Sequence, residues 1–293
     1  MSTTPQPQPP QGQASRTQAP LDIKATAQEL RNLYSTNTSQ EMGHFLVIGE
    51  KGAGKTSLAL TCPKPILIHS FDPGGTALYN VPEMVKRGEL LVDNRYEVDD
   101  YRHPSAYLEW EKEFNRLRRG DFFKSVGTYV LDSLTTFGNS MIWRIMQKEN
   151  RIPPGMDAAM DEKAKGMRIQ DYMQLLNHTV RTTRIISSLP CHTLILGHIG
   201  RDLNEADQRV IRLLLYPGQS KDQVPINLPE FYVLLKEGGP KGATRYLLTE
   251  DDGEYRATTR MGGGGVFAKK EEPNIRALLK KAKRPYEDRP LFL

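Results

Sequence analysis

Cysteine is scarce in this chain. Only Cys62 and Cys191 occur among its 293 residues, and neither has a second cysteine or a histidine at zinc-site spacing, which excludes a disulfide scaffold and a cysteine-built metal site. Both are expected as reduced core residues, consistent with a reducing compartment. No apolar run approaches the roughly 18 residues of a membrane-crossing helix. The Gln- and Pro-rich start, 1–20, has neither the basic segment nor the apolar stretch of a secretory signal. The expectation is a cytoplasmic protein with no membrane partner. No internal repeat is visible.

What is present is the composition of an ordinary folded chain, 38% hydrophobic and 26% charged, long enough for one large domain with additions. A formal net charge of +5 gives a mild attraction toward polyanions. Residues 1–20 lack periodicity and large apolar side chains, which predicts a disordered tail. Within 21–42, Ile23, Ala27, Leu30 and Tyr34 recur at helical spacing, which predicts a short helix and a linker. From 43 onward, apolar runs of strand length (45–48, 66–70, 129–132, 192–197) alternate with helical segments (from 55, then 105–117, 135–148, 169–187). That alternation predicts an α/β fold, a mostly parallel sheet flanked by helices. After 207 the texture changes, and 209–216, 230–236, 244–249 and 255–259 read as strands of an antiparallel C-terminal extension. A last helix is expected at 273–283, so that 43–265 forms the main domain and 266–293 a C-terminal helix with a basic tail.

The chemistry concentrates at 49–56. Gly49, Glu50, Lys51, Gly52, Ala53, Gly54, Lys55 and Thr56 match the pattern glycine, four residues, Gly-Lys-Ser/Thr, directly after an apolar strand and before a helix that continues with Ser57. Glycines let consecutive backbone N–H groups turn inward around phosphate oxygens, with the positive end of the helix behind them. Lys55 is expected on the terminal phosphates of ATP and the Thr56 hydroxyl on Mg²⁺. Asp132 ends the apolar strand 129–132, where parallel-sheet ligands bind, and is the second candidate ligand of Mg²⁺. Asp72 ends the strand 66–70 before Pro73-Gly74-Gly75 and is a candidate base for water, or a turn-forming residue. His198 follows the strand 192–197 and is a candidate sensor of the γ-phosphate, or a structural histidine.

The order of these parts resembles the RecA-like P-loop ATPases, and most closely the phage-encoded single-strand annealing ATPases of the Sak-four group. The residues that carry the resemblance are Gly49 to Thr56, Asp72-Pro73-Gly74-Gly75, Val130-Leu131-Asp132-Ser133-Leu134 and Leu194 to His198, with Leu228-Pro229, Asp251-Asp252-Gly253 and Ala257-Thr258-Thr259-Arg260 in the distal part. It implies that Lys55, Asp72, Asp132 and His198 form the catalytic set, with Asp132 as the Walker-B acid. Such proteins usually have Glu where Asp72 stands, which implies slow hydrolysis or a water-mediated contact, and Tyr232 occupies a position where the annealing group is expected to have an acidic residue.

The resemblance further implies DNA-facing loops at 150–166 and 200–223. The second holds Arg201, Arg209, Arg212, Tyr216 and Lys221, cations for phosphates and a ring for stacking. Arg256 or Arg260 is a candidate finger across a subunit interface. The function implied is a DNA-stimulated ATPase of phage-type recombination or single-strand annealing. It would be a homo-oligomer with ATP between subunits, with single-stranded DNA and a single-strand-binding protein as partners, in the host cytoplasm. The alternatives are a nucleotide-gated loader or partner-recruiting switch and a P-loop kinase. The Asn-Lys-x-Asp of GTPases is absent.

Overall fold

The computed structural model describes residues 22–36, 41–73, 81–151, 167–204, 209–216, 220–239 and 242–292. They fall into two compact units. The first holds α1 (Ile23–Thr36), on which Ile23 and Leu30 are exposed. The second holds the sheet and everything packed on it.

Its elements run β1 (His44–Gly49), α2 (Lys55–Ala59), β2 (Ile66–Ser70), α3 (Pro82–Lys86), β3 (Leu90–Asp93), α4 (Ala106–Arg119), β4 (Thr128–Asp132), α5 (Leu134–Gln147), α6 (Ile169–Ile186), β5 (His192–Asn204), β6 (Arg209–Leu214) and α7 (Ser220–Ile226). The chain continues with β7 (Glu230–Gly239), β8 (Gly242–Leu248), β9 (Thr258–Thr259), β10 (Lys270–Glu271) and α8 (Ile275–Lys281). The sheet order is β10-β8-β7-β1-β5-β4-β2-β3, with β6 paired to β5 and β9 to β7. Strands β7, β1, β5, β4, β2 and β3 run parallel, and β8, β9 and β10 add antiparallel pairs. The expected α/β fold, a mostly parallel sheet flanked by helices with an antiparallel extension, is what the structure has.

The continuous apolar runs follow from burial on both faces. On one face Phe45, Val47, Ile66, Ile68, Leu194, Leu196 and Leu234 pack with Leu58 of α2 and Ile275, Leu278 and Leu279 of α8. On the other, Leu46, Ile48, Leu67, Tyr129, Leu131, Ile195 and Val233 meet Trp110 and Phe114 of α4, Phe137, Met141 and Ile145 of α5, and Leu175 and Ile186 of α6.

Five elements differ from the sequence expectation. α3 and β3 were not expected, because α3 has five residues and buries none, and only Leu90 of β3 is fully buried. β5 continues past Gly197 to Asn204, since β6 takes over as its partner from Ile199 on. α7 contains Pro225, a residue that reads as a breaker. The strand expected at 255–259 is a bridge at Tyr255 and the two residues of β9.

Beyond α8 the segment expected as a basic tail forms a strap across the N-terminal ends of the strands. Asp288 accepts the Lys64 N–H at 2.7 Å, and the Arg289 guanidinium donates to the carbonyls of Phe123, Lys124 and Pro190 at 3.1, 2.6 and 2.6 Å. Phe292 stacks on Phe122 with ring centroids 5.3 Å apart. The strap leaves the opposite end of the sheet, where the phosphate loop lies, uncovered by this segment.

A buried ion pair anchors α6. Arg151 donates to both carboxylate oxygens of Asp171 at 2.8 and 2.6 Å, and Asp171 also accepts the Arg168 N–H at 2.7 Å in the first turn of the helix. The hydrogen bonds from Arg151 hold the Asp171 carboxyl below its ordinary 3.8, against the opposing effect of burial. Breaking such a pair by removing one partner costs about 3–5 kcal/mol, so Arg151→Met is expected to lower unfolding free energy by that order in denaturant melts. Because the folded value is depressed, the pair's contribution is full above 3.8 and is lost as pH falls through the lowered value. The wild-type and variant stability curves should converge on acidification.

Candidate functional site

At the C-terminal ends of the parallel strands, the chain leaves β1 and curls into the loop 49–55. Gly52 and Gly54 have φ of 79° and 105°, values that side chains with a Cβ rarely adopt, and the Ala53 N–H closes a turn onto Glu50 O at 3.1 Å. Glu50, Lys51, Gly52 and Ser57 face solvent, while Ala53 and Lys55 are buried. α2 is only five residues long, so its dipole is small. The positive character of the loop comes chiefly from Lys55. From β8, Arg245 crosses to the loop and donates through Nε to Ala53 O at 2.9 Å, a brace that the sequence reading missed.

Lys55 and Thr56 meet the strand ends. The Thr56 hydroxyl donates to Asp132 Oδ2 at 2.8 Å. Lys55 Nζ donates to Gly49 O at 2.8 Å and Glu50 O at 3.2 Å, and stands 3.3 Å from His198 Nδ1. On its other side His198 Nε2 lies 2.8 Å from Asp72 Oδ2. Asp72 Oδ1 accepts the Ser133 hydroxyl at 2.7 Å and the Thr136 hydroxyl. Three of the four candidate catalytic residues, Lys55, His198 and Asp72, thus form one chain of contacts, closed by the hydroxyls of the first turn of α5, while Asp132 is joined to Thr56 beside it. Ser133 also caps that helix by accepting the Thr136 N–H. The signal for these hydroxyls was Ser133-Leu134-Thr135-Thr136 directly after Asp132.

The two carboxylates are pushed apart in acidity. Burial, with the charge of Asp72, raises Asp132 to about 6, against the opposing Thr56 hydrogen bond and Lys55 charge. Burial also works to raise Asp72, but hydrogen bonds from His198, Thr136 and Ser133 outweigh it and hold the group near 2. Burial lowers Lys55 from its ordinary value, a shift opposed by the charges of Asp132, Asp72 and Glu50.

This donor set fits Mg²⁺ and a polyphosphate. Among the described residues no group of three or more His, Cys, Asp or Glu is placed to hold a metal ion. An ion here could take Thr56 and Asp132 from the protein, with phosphate and water for the rest. Mg²⁺ characteristically binds this way.

The expected DNA contacts separate. Arg201 is exposed on β5, directly across from Arg212 on β6. Arg212 is engaged: its guanidinium lies 3.1 Å from Glu254, bonds the Tyr255 hydroxyl, and sits 5.1 Å above that ring. Tyr216, expected to stack on bases, is instead a core residue, 5% exposed, with its hydroxyl 2.8 Å from Thr179. Its ring fills the space beside Gly138, where a Cβ would come within 2.5 Å of it, so the ring offers no face to a base. The side chains of Arg209 and Lys221 lie outside the described residues, as does most of 150–166. The span 200–223, expected as a loop, is largely the β5–β6 hairpin and the start of α7. Tyr232 is buried and donates to Glu230 at 2.5 Å. Glu230, which follows Leu228-Pro229 directly, is the buried acid of this strand and also accepts the N–H groups of Arg260 and Met261. Arg260 therefore has its backbone at the N-terminal end of β7, away from the phosphate loop.

No family model matches the chain, and no curated protein sequence matches it. Among solved structures, a KaiC-like protein of Pyrococcus horikoshii is similar at 11% identity, with 74% of this chain and 82% of that one covered and a TM-score of 0.40. The flagellar accessory protein FlaH of Methanocaldococcus jannaschii is similar at 12% identity, with 78% and 83% covered and a TM-score of 0.43. The reading of the site rests on its own geometry.

Two outcomes follow from that geometry. Asp132→Asn removes a buried charge that is unfavourable above pH 6, so the ligand-free variant is expected to melt higher than wild type in a scan well above that pH. The difference should shrink on acidification through that value. Gly54→Ala forces a Cβ onto a backbone at φ 105° and to 3.2 Å from Arg245 Nε. It is expected to cost about 1–3 kcal/mol of stability or of loop geometry, read as a lower melting temperature or weaker phosphate binding with the wild-type circular dichroism spectrum retained.

Proposed function

We propose that the chain is a RecA-like P-loop ATPase that binds Mg²⁺ and ATP and hydrolyses ATP slowly. The carrying observation is the junction of Thr56 with Asp132 at 2.8 Å, flanked by the Lys55–His198–Asp72 chain of contacts. When bound, Mg²⁺-ATP supplies the phosphoryl group to be transferred and a divalent charge that offsets its negative charge. The loop amides and Lys55 hold the phosphates. Thr56 and Asp132 hold the ion. Asp72, a fixed anion, orients the attacking water, and His198, between Asp72 and Lys55, reads the occupancy of the terminal phosphate.

In the same reading the protein works as a homo-oligomer on single-stranded DNA, in phage-type recombination or annealing in the host cytoplasm, beside a single-strand-binding protein. Support for DNA comes from the exposed Arg201 on the hairpin that leaves His198 and from the net charge of +5. No helix among the described residues is long and apolar enough to cross a membrane.

ATP turnover measured with and without single-stranded DNA tests this reading. Hydrolysis is expected to rise with DNA and to fall by about 100-fold or more in Lys55→Ala. Turnover indifferent to both the DNA and the substitution contradicts it. A second reading, a nucleotide-gated partner-recruiting switch, draws on the three donors that occupy Asp72 and leave it little freedom as a base. Partner capture that depends on ATP while DNA binding does not supports the switch.

A further inference from the structure

One hydroxyl joins α5 to both strands of the β5–β6 hairpin. Thr135 Oγ1 donates to Leu215 O at 3.0 Å and accepts the His198 N–H at 3.0 Å, while the Leu215 N–H donates to His198 O at 2.8 Å. These three bonds close a ring at the root of the hairpin. There the parallel pairing of β5 with β1 ends, at His198, and its antiparallel pairing with β6 begins, at Ile199. A hydroxyl has one proton to give and lone pairs to receive, and here the proton goes to the carbonyl of Leu215, the residue after β6, while a lone pair takes the His198 amide of β5.

The neighbouring hydroxyls of the same helical turn, on Ser133 and Thr136, both donate to Asp72. A single turn of α5 therefore grips the Asp72 carboxylate with two side chains and the hairpin root with a third. His198 is held at both ends, its backbone amide by Thr135 and its ring between Asp72 and Lys55. Gly197 keeps this corner tight, because a Cβ there would come within 2.7 Å of Leu214 and 3.3 Å of Ile48.

We propose that Thr135 is a positioning residue: its hydroxyl fixes where His198 stands and thereby couples the phosphate end of the sheet to the β5–β6 hairpin. The proposal rests on the ATPase reading for its consequence in turnover. Its consequence in the ligand-free protein is independent of that reading.

The test compares Thr135→Val, which keeps the shape and removes the hydroxyl, with Thr135→Ser, which keeps the hydroxyl. In the ligand-free protein the His198 amide, having lost its acceptor, is expected to exchange with deuterium about tenfold faster in the Val variant and at the wild-type rate in the Ser variant. In turnover the Val variant is expected to lose about tenfold in kcat while its Kd for ATP stays within about twofold, and the Ser variant to recover. Unchanged exchange in Thr135→Val overturns the proposal, and so does an equal loss in both variants, because then the hydroxyl is not the acting group. A loss in ATP affinity that matches the loss in kcat also overturns it, since the residue then belongs to binding. A wild-type protein that neither binds nor hydrolyses ATP removes the ATPase reading, and the exchange rates alone then decide whether Thr135 holds the hairpin.

Discussion

The hydrogen bond between the Thr56 hydroxyl and the Asp132 carboxylate is the constraint around which the upper edge of the sheet is organised. It exists because β1 and β4 both flank β5 in parallel, so the loop after β1 and the acid ending β4 stand two strand spacings apart, about 10 Å between axes. The loop between β1 and α2 carries Thr56, the second residue of that helix, across the gap. His198 ends the parallel part of the strand between them, and Asp72 follows the strand on the far side of β4. Sheet order alone accounts for the convergence of residues that are 126 positions apart in the case of His198 and Asp72.

Within that geometry, neighbours of different kinds divide the labour of two carboxylates. Asp132 has one hydroxyl partner and little water, so burial leaves it short of compensation. Asp72 is buried too, but three donors supply what the solvent does not. In the proposed function the poorly compensated group is the one that would meet a divalent cation, and the well-compensated one would act as a fixed anion. Such an arrangement would store unfavourable electrostatics in the ligand-free protein and release them on binding. The strap at the other end of the sheet, with Arg289 on three carbonyls, supplies rigidity where no chemistry is placed.

Much of this was legible in the residues. The loop 49–56 is specified by glycines at positions whose φ is positive, and the alternation of apolar runs with helical segments led to the right fold class, because strands buried on both faces leave a continuous apolar signature. Asp132, Asp72 and His198 could be chosen because each follows such a run. Illegible were features that depend on distant partners. Arg245 reaches the loop from a strand nearly two hundred positions away, and nothing local marks it. Tyr216 looked like a stacking residue because its core contacts, with Thr179 and the space beside Gly138, lie on two helices that the sequence does not bring together. α3 and β3 escaped because they bury too little to leave a pattern, and β5 appeared to stop at Gly197 because the change of partner, from parallel neighbours to β6, has no signature in its own residues.

The most direct measurement of the central claim is an equilibrium titration of ATP into the protein, with Mg²⁺ present and again after its removal by a chelator. The account predicts micromolar affinity with Mg²⁺, a marked loss when the ion is removed, and a smaller dependence on the ion in Thr56→Val, where the hydroxyl facing Asp132 is gone. Binding that is absent, or that is indifferent to both the ion and Thr56, contradicts it.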